Sequence, residues 1–302
     1  DRQGAEPIAA KRVVVATATH RHPKVPGFAG SLGESIFQCH ASTYRSPAHL
    51  PPGGVVVVGS AQSGCQIADE LNRAGRPVWL STGSTGRLPR RYRGRDIIEW
   101  QQCMGYLDRN ARELDDPAHR FRPDPHLSGA EGGKTLDLRD LSVRGVRLTG
   151  RLKAAVGGML YFENDLARNL ADADAFAGRM LREVDAYIDT SGVVAPEADE
   201  QNSDLGFAGE RFVPPAPERL DLGAGEISSL VWATGFRHDF TWVQLPVFDV
   251  FGYPVQAGGQ TSVPGLHFLG LNYVERRASG ILYGVGEDAE QISRLIVSSL
   301  AG

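Results

Sequence analysis

The 302-residue chain is poor in cysteine, with only Cys39, Cys65 and Cys103, far apart in sequence. That spacing excludes a local C-x-x-C redox pair and a zinc knuckle. It suits a reducing compartment in which the three are small apolar side chains. No run approaches the roughly 18–20 consecutive apolar residues that a membrane span needs. The opening residues, DRQGAEPIAAKR, are too polar for a secretory signal, so a cytoplasmic location is expected. Charge of neither sign dominates: 32 Lys and Arg against 36 Asp and Glu leave a formal net charge of -4, which points to neither nucleic acid nor an anionic membrane as partner. No Ser/His/Asp set or carboxylate pair stands out, no metal site is expected, and Asp108, Asp115 and Asp116 read as surface groups. What the chain does have is glycine: 36 residues clustered at turns, within a composition 41% hydrophobic that can fill one large or two ordinary cores.

The most informative stretch is VVVVGSAQSGCQIADELNRAGRPVWLS, from Val55 to Ser81. A four-valine run reads as a buried strand, a glycine-rich turn follows, Cys65, Ile67, Ala68 and Leu71 mark one face of a helix, and Val78 to Leu80 form a second strand. The turn Gly59-Ser60-Ala61-Gln62-Ser63-Gly64 matches G-x-G-x-x-G at its first and last positions and carries alanine at the middle one. In such a turn the first glycine permits the tight exit from the strand and the last lets the helix pack on the sheet. The first-turn amides, with the helix dipole behind them, face a pyrophosphate. Ala61 costs part of the close backbone approach that a glycine allows. A strand-to-helix loop without a ligand is the alternative.

Just beyond, Arg87, Arg90, Arg91, Arg93 and Arg95 crowd nine residues. The second strand ends in Ser81-Thr82, without the carboxylate that would accept from the ribose of NAD. Hydroxyls and guanidinium groups there suit the extra phosphate of NADP; spacing does not say which of the five arginines would bind it, and Arg87 and Arg90 are taken as candidates. A solvated basic loop is the bland reading. Elsewhere the pattern predicts a strand near residues 12–19, a helix within 96–114, a loop over 116–133, a short helix at 137–144, a hairpin over 146–162 turning at Gly157-Gly158, a long amphipathic helix from Asn164 to Thr190, and an acidic, proline-bearing linker from Pro196 to Pro217. The last third holds a strand at 227–236, another at 264–271 and a helix from about Glu287 to Leu300. Two strands end alike, Val15-Ala-Thr-Ala18 and Trp232-Ala-Thr-Gly235. Asp288 either caps the last helix or bonds a cofactor hydroxyl.

These segments, in this order, resemble bacterial flavin-dependent oxidoreductases of the flavin-containing monooxygenase group. The resemblance rests on Val13 to Pro26, on His40-x-x-x-Tyr44-x-x-Pro47, on the turn at 59–64, and on Trp232-Ala-Thr-Gly-Phe236 through Gly284 to Ala289. It implies an α/β fold of two Rossmann-like dinucleotide-binding domains in a three-layer, glutathione-reductase-like arrangement. The expected FAD domain, here incomplete, covers 1–52 and 227–302, and the inserted NADPH domain covers 53–226. It further implies FAD and NADPH as cofactors. Thr17, Ala18, Thr234, Gly235, Gly286 and Asp288 would lie toward FAD; Gly59 to Gly64, Ser81, Thr82, Arg87 and Arg90 would lie toward NADPH. The implied reaction is hydride transfer from NADPH to flavin, then attack by a flavin hydroperoxide on a small molecule, with dioxygen as co-substrate and a homodimer kept open. A flavin reductase or dehydrogenase, and a non-catalytic nucleotide-binding remnant, are the competing readings. The family's first G-x-G-x-x-G has no counterpart here, and Ala18 and Ala61 stand at its glycine positions. The Phe-x-Gly that precedes the family's fingerprint His is out of register, so His40 is expected to be structural.

Overall fold

The computed structural model describes residues 6–199, 201, 203–204, 212–224 and 226–301. The chain forms two compact units. One comprises Asp1–His22, Gly105–Arg122 and Phe236–Gly302; the other comprises Pro23–Met104 and Pro123–Gly235.

The larger unit is built on a five-stranded, all-parallel sheet. Its strands run in the order Phe37–His40, Ile227–Trp232, Gly54–Val58, Val78–Ser81, Arg147–Thr149. The valine run is near the middle and buried at every position, as a parallel strand covered on both faces must be. Its side chains alternate between two cores. Val55 and Val57 pack with Cys65, Ala68 and Leu71 of the helix Gln62–Arg73, with Leu141 of the helix Leu138–Val143, and with Leu166 and Leu170 of the helix Leu166–Ser191. Val56 and Val58 pack with Trp79, Trp232, Leu160 and Phe162. The latter core is closed by a three-stranded antiparallel sheet of Leu152–Val156, Met159–Phe162 and Arg219–Asp221. Helices, parallel sheet and antiparallel sheet make three layers.

The smaller unit pairs Val13–Val15 in parallel with Leu266–Phe268 and extends through Gln260–Thr261 to Gln256–Ala257 in antiparallel fashion. Val15, Phe240, Val247, Tyr253, Leu266 and Phe268 form its core. The Arg120 guanidinium lies 4.8 and 4.6 Å from the rings of Phe121 and Tyr253 and pairs with Asp249.

Several elements depart from expectation for local reasons. Strands 37–40 and 227–232, expected in the FAD half, hydrogen-bond into the same sheet as Gly54–Val58, and 105–122 joins the smaller unit. The compact boundaries therefore fall at 22/23, 104/105, 122/123 and 235/236. The 146–162 hairpin shortens to 152–162, turning at Gly157 and Gly158 with φ +57° and +78°, as a tight two-residue turn requires. Arg147–Thr149 instead joins the parallel sheet. Helix 96–114 reduces to Ile97–Cys103, stopped before Gly105 in the left-handed region; short 3-10 turns follow. The last helix starts at Leu282, not near 287. Glycines 284 and 286 read as a lead-in, yet a Cβ on Gly284 would stand 2.5 Å from the Ala278 carbonyl oxygen, so glycine is there for close packing inside the helix. Asp288 accordingly lies within the helix and does not cap it. The expected linker 196–217 falls partly outside the described residues.

The two Ala-Thr echoes share a backbone conformation: Ala18 has φ +53° and Gly235 has φ +77°. A left-handed alanine costs roughly 1–2 kcal/mol, less what glycine loses in unfolded-chain entropy. Ala18→Gly is therefore expected to stabilise the protein by about 1 kcal/mol, read as a higher urea midpoint at unchanged slope; a lower midpoint would refute the strain.

A polar knot lies beneath the helix Gln62–Arg73. The Cys65 thiol donates to the Ser60 carbonyl at 3.2 Å and lies 3.6 Å from His126 Nδ1. His126 is 0% exposed, and burial first, then the neighbouring Arg87, pushes its pKa down to about 4. Burial pushes the Cys65 thiol up, so it stays protonated and inert. His126 is thus neutral when folded, whereas the unfolded chain takes up its proton below about pH 6.5. Its contribution is complete above pH 6.5, declines as pH falls, and levels off below about 4, a swing of about 3 kcal/mol. Stability measured from pH 7 to 4 is expected to fall less steeply in His126→Gln than in the parent; equal slopes would exclude His126 as a source.

Candidate cofactor site

The site grows from the exit of the Gly54–Val58 strand. Gly59 turns the chain at φ +108°, its amide donating to the Ser81 carbonyl at 2.9 Å. A Cβ there would sit 2.4 Å from the Ala233 carbonyl oxygen. At Gly64 a Cβ would lie 1.7 Å from the Gly59 carbonyl oxygen, a distance no side chain survives. Both glycines are therefore required by packing, one against the neighbouring strand end and one between helix and turn.

Between them Ala61 occupies the N-cap position of the helix in extended conformation, and no side chain among the described residues caps the helix. Gln62 and Ser63 are exposed. Ser60 is buried and holds the turn to the next strand exit, its hydroxyl accepting from the Gly83 amide at 3.0 Å. A helix N-terminus whose first-turn amides no side chain serves, open to solvent and reached through a left-handed glycine, matches the chemistry of a pyrophosphate. The residues from Gly59 to Gly64 fit a dinucleotide.

The expected ribose and phosphate contacts are placed differently. Ser81 is 2% exposed, its hydroxyl donating to the Gly150 carbonyl at 3.0 Å and accepting from the Leu152 amide at 2.9 Å. Thr82, equally buried, donates to the Thr149 carbonyl and accepts from Asn169. Arg87 is buried against carboxylates: it is 4% exposed, with Nε 2.8 Å from Asp174 and Nη1 3.4 Å from Asp137. Arg90 is tied at 2.6 Å to Asp96. Arg91 donates to the carbonyls of Gly132 and Gly133, Arg93 pairs with Asp185, and Arg95 lies 4.7 Å over the Trp100 ring. The cluster is thus largely a set of internal fasteners. Its partners Asp137, Asp174 and Asp185 lie tens of residues away, where sequence spacing gives no hint of them. The arginine that does reach the end of the second strand is Arg151, whose Nη2 stands 3.9 Å from where a Gly83 Cβ would be. No motif marked it.

The residues expected toward flavin divide between the units. In the larger, Thr234 donates to the Lys24 carbonyl, and Gly235 is exposed with φ +77°. His40 Nδ1 accepts from the Ser42 amide at 3.1 Å, so Nε2 carries the proton and donates to the Gly235 carbonyl at 3.0 Å. Burial lowers its pKa, and the ring is a neutral structural strut. In the smaller unit Thr17 is exposed and Ala18 half-buried, and a Cβ on Gly286 would meet open space. Asp288 is 5% exposed; burial raises its pKa, and its Oδ2 has no hydrogen-bond partner among the described residues. An orphaned buried acceptor fits a hydroxyl-rich group such as the ribityl or ribose of a flavin nucleotide. No second strand–glycine turn–helix of the 59–64 kind occurs among the described residues. No metal-holding cluster of His, Cys, Asp or Glu and no helix long and apolar enough to cross a membrane occur among them either.

Residues 2–94 match the family model of pyridine nucleotide-disulphide oxidoreductases. The CzcO-like oxidoreductase of Geobacillus kaustophilus is 30% identical over 286 residues, 94% of this chain and 64% of its own length. The CzcO oxidoreductase of Bacillus subtilis is 24% identical over 283 residues, again 64% of its length. The chain thus spans 64% of the length of these two relatives, less than two-thirds. Among solved structures, a variant of a flavin monooxygenase from Stenotrophomonas maltophilia superposes with a TM-score of 0.55 at 16% identity, covering 96% of this chain and 63% of that one. Along nearly its whole length the chain is similar in sequence to these CzcO-type oxidoreductases, and its α/β fold is that of the flavin monooxygenase structure.

Proposed function

We propose that the chain provides the NADPH site of an FAD- and NADPH-dependent oxidoreductase of monooxygenase type, acting on a small molecule with dioxygen. The observation that carries the reading is the exposed N-terminus of the helix Gln62–Arg73, uncapped by any side chain among the described residues and reached through Gly59 at φ +108°. FAD, when bound, supplies the redox and oxygen chemistry. This chain's residues bind and orient. The amides after Ala61 receive the pyrophosphate, Gly59 and Gly64 let backbone and helix approach, and Ser60 keeps the turn registered on Gly83. Asp288 would accept from a flavin hydroxyl through its free oxygen. No side chain here is assigned a proton-transfer role. The flavin monooxygenase structures and the pyridine-nucleotide family model support the reading.

Substitution at the N-cap separates ligand binding from stability. Ala61 has the extended backbone of an N-cap, so Ala61→Asp is expected to cap the helix and stabilise the protein by about 1 kcal/mol. The same carboxylate occupies the pyrophosphate's place and repels it, so NADPH affinity should fall at least tenfold, about 1.4 kcal/mol. Thermal melts and NADPH titration by fluorescence read the two effects. A more stable variant that binds NADPH as tightly as its parent would sink the reading.

Flavin is tested by the absorption spectrum and intact mass of the purified chain. Bands in the visible flavin region at stoichiometric amount are the expected outcome. A colourless chain that binds NADPH but takes up no added FAD would overturn the flavin half of the proposal and favour a nucleotide-binding module.

A further inference from the structure

We propose that Arg151, and not the arginine cluster at 87–95, selects NADPH over NADH by receiving the ribose 2′-phosphate; the inference rests on the dinucleotide reading of Gly59 to Gly64. Four backbone restraints fix the residue. The Ser81 hydroxyl donates to the Gly150 carbonyl and accepts from the Leu152 amide, one on either side of it. The Arg151 amide donates to Asp165 Oδ1 at 2.8 Å, and its carbonyl accepts from the Glu163 amide at 2.8 Å. Gly150 makes this possible, because a Cβ there would stand 1.8 Å from the Glu163 carbonyl oxygen.

The side chain, by contrast, is uncommitted. Arg151 is exposed, and its guanidinium makes no ion pair or hydrogen bond among the described residues. Asp165, the nearest carboxylate on its backbone, is already shared between the Arg151 amide and the Arg168 guanidinium at 3.4 Å. The Arg151 guanidinium reaches Gly83, which Ser60 ties to the glycine turn. Gly83 leaves the space beside it open: apart from its own chain neighbours, a methyl group on its Cα would find among the described residues only Arg151 Nη2 within 4 Å. An anchored backbone carrying a free, planar, permanently charged fork suits a phosphate monoester, which it can bind through two charge-assisted hydrogen bonds. The second strand's end is where a dinucleotide turn places the adenosine ribose. Ser81, expected at the ribose by its position, serves the same recognition indirectly by holding residues 150 and 152.

The test is titration of NADPH, NADH and 2′,5′-ADP into the parent protein, Arg151→Ala and Arg95→Ala, with thermal melts as a folding control. In Arg151→Ala, NADPH and 2′,5′-ADP are expected to bind 10- to 100-fold more weakly, while NADH changes less than twofold and the melting temperature is unchanged. Arg151→Lys should recover part of the loss, and Arg95→Ala should behave as the parent. If the parent binds none of the three, the dinucleotide reading itself fails. If the parent prefers NADPH and Arg151→Ala keeps that preference, the site stands and the role given to Arg151 is overturned. Equal parent affinity for NADPH and NADH likewise overturns it.

Discussion

The approach of Gly64 to the Gly59 carbonyl is the contact on which the larger unit turns. With only a hydrogen fitting between them, the helix Gln62–Arg73 starts directly on the exit of the valine strand, so its apolar face lies flat on the sheet. Gly59 is pressed in turn against Ala233 at the end of the neighbouring strand, so three segments distant in sequence meet at one turn. Two glycines cost roughly 0.5–1 kcal/mol each in lost chain entropy. Burying the four valines they position contributes about 1.5–3 kcal/mol apiece, which settles the balance in favour of the tight turn. The same geometry exposes the helix N-terminus, so what the packing requires and what an anion would use are one arrangement.

Much of this was legible because it is local. An uninterrupted valine run, a turn with glycines at fixed offsets and apolar residues recurring at helical spacing each carry a period or a steric requirement that short-range pattern expresses. The Gly157-Gly158 turn and the helix near Asn164 were readable for the same reason. Harder were elements whose state is decided by a distant neighbour. Arg147–Thr149 is a strand because Val78–Ser81 offers it an edge, and Gly284 is helical because Ala278 lies against it. A pattern that reads glycine as a helix breaker has no access to that contact. Strands 37–40 and 227–232 likewise took their place from pairing, whereas sequence order suggested another unit.

The strand, glycine turn and helix around 59–64 were legible, and the side-chain contacts beside them were not. Ser81 and Thr82 stand where a ribose would be expected, but their hydroxyls answer buried backbone groups that would otherwise lack partners, and an unmet buried group costs about 1–3 kcal/mol. That demand is met before any ligand is considered. A hydroxyl at a strand end is therefore ambiguous until the loops packed beside it are known.

Arginine density misled for a related reason. A guanidinium at 4% exposure, as in Arg87, cannot remain unpaired: stripping one partner from a buried pair costs roughly 3–5 kcal/mol, so carboxylates must be brought to it. Asp174 and Asp137 do this, and Asp96 and Asp185 do it for Arg90 and Arg93. In a chain with more acids than bases such partners are plentiful. Crowded arginines thus report internal pairing wherever the segment is buried, and report an anionic ligand only where a charge is left over at the surface. The lone Arg151, with its backbone held by Ser81 and Asp165 and its charge unspent, meets that condition better than any of the five it was hidden behind.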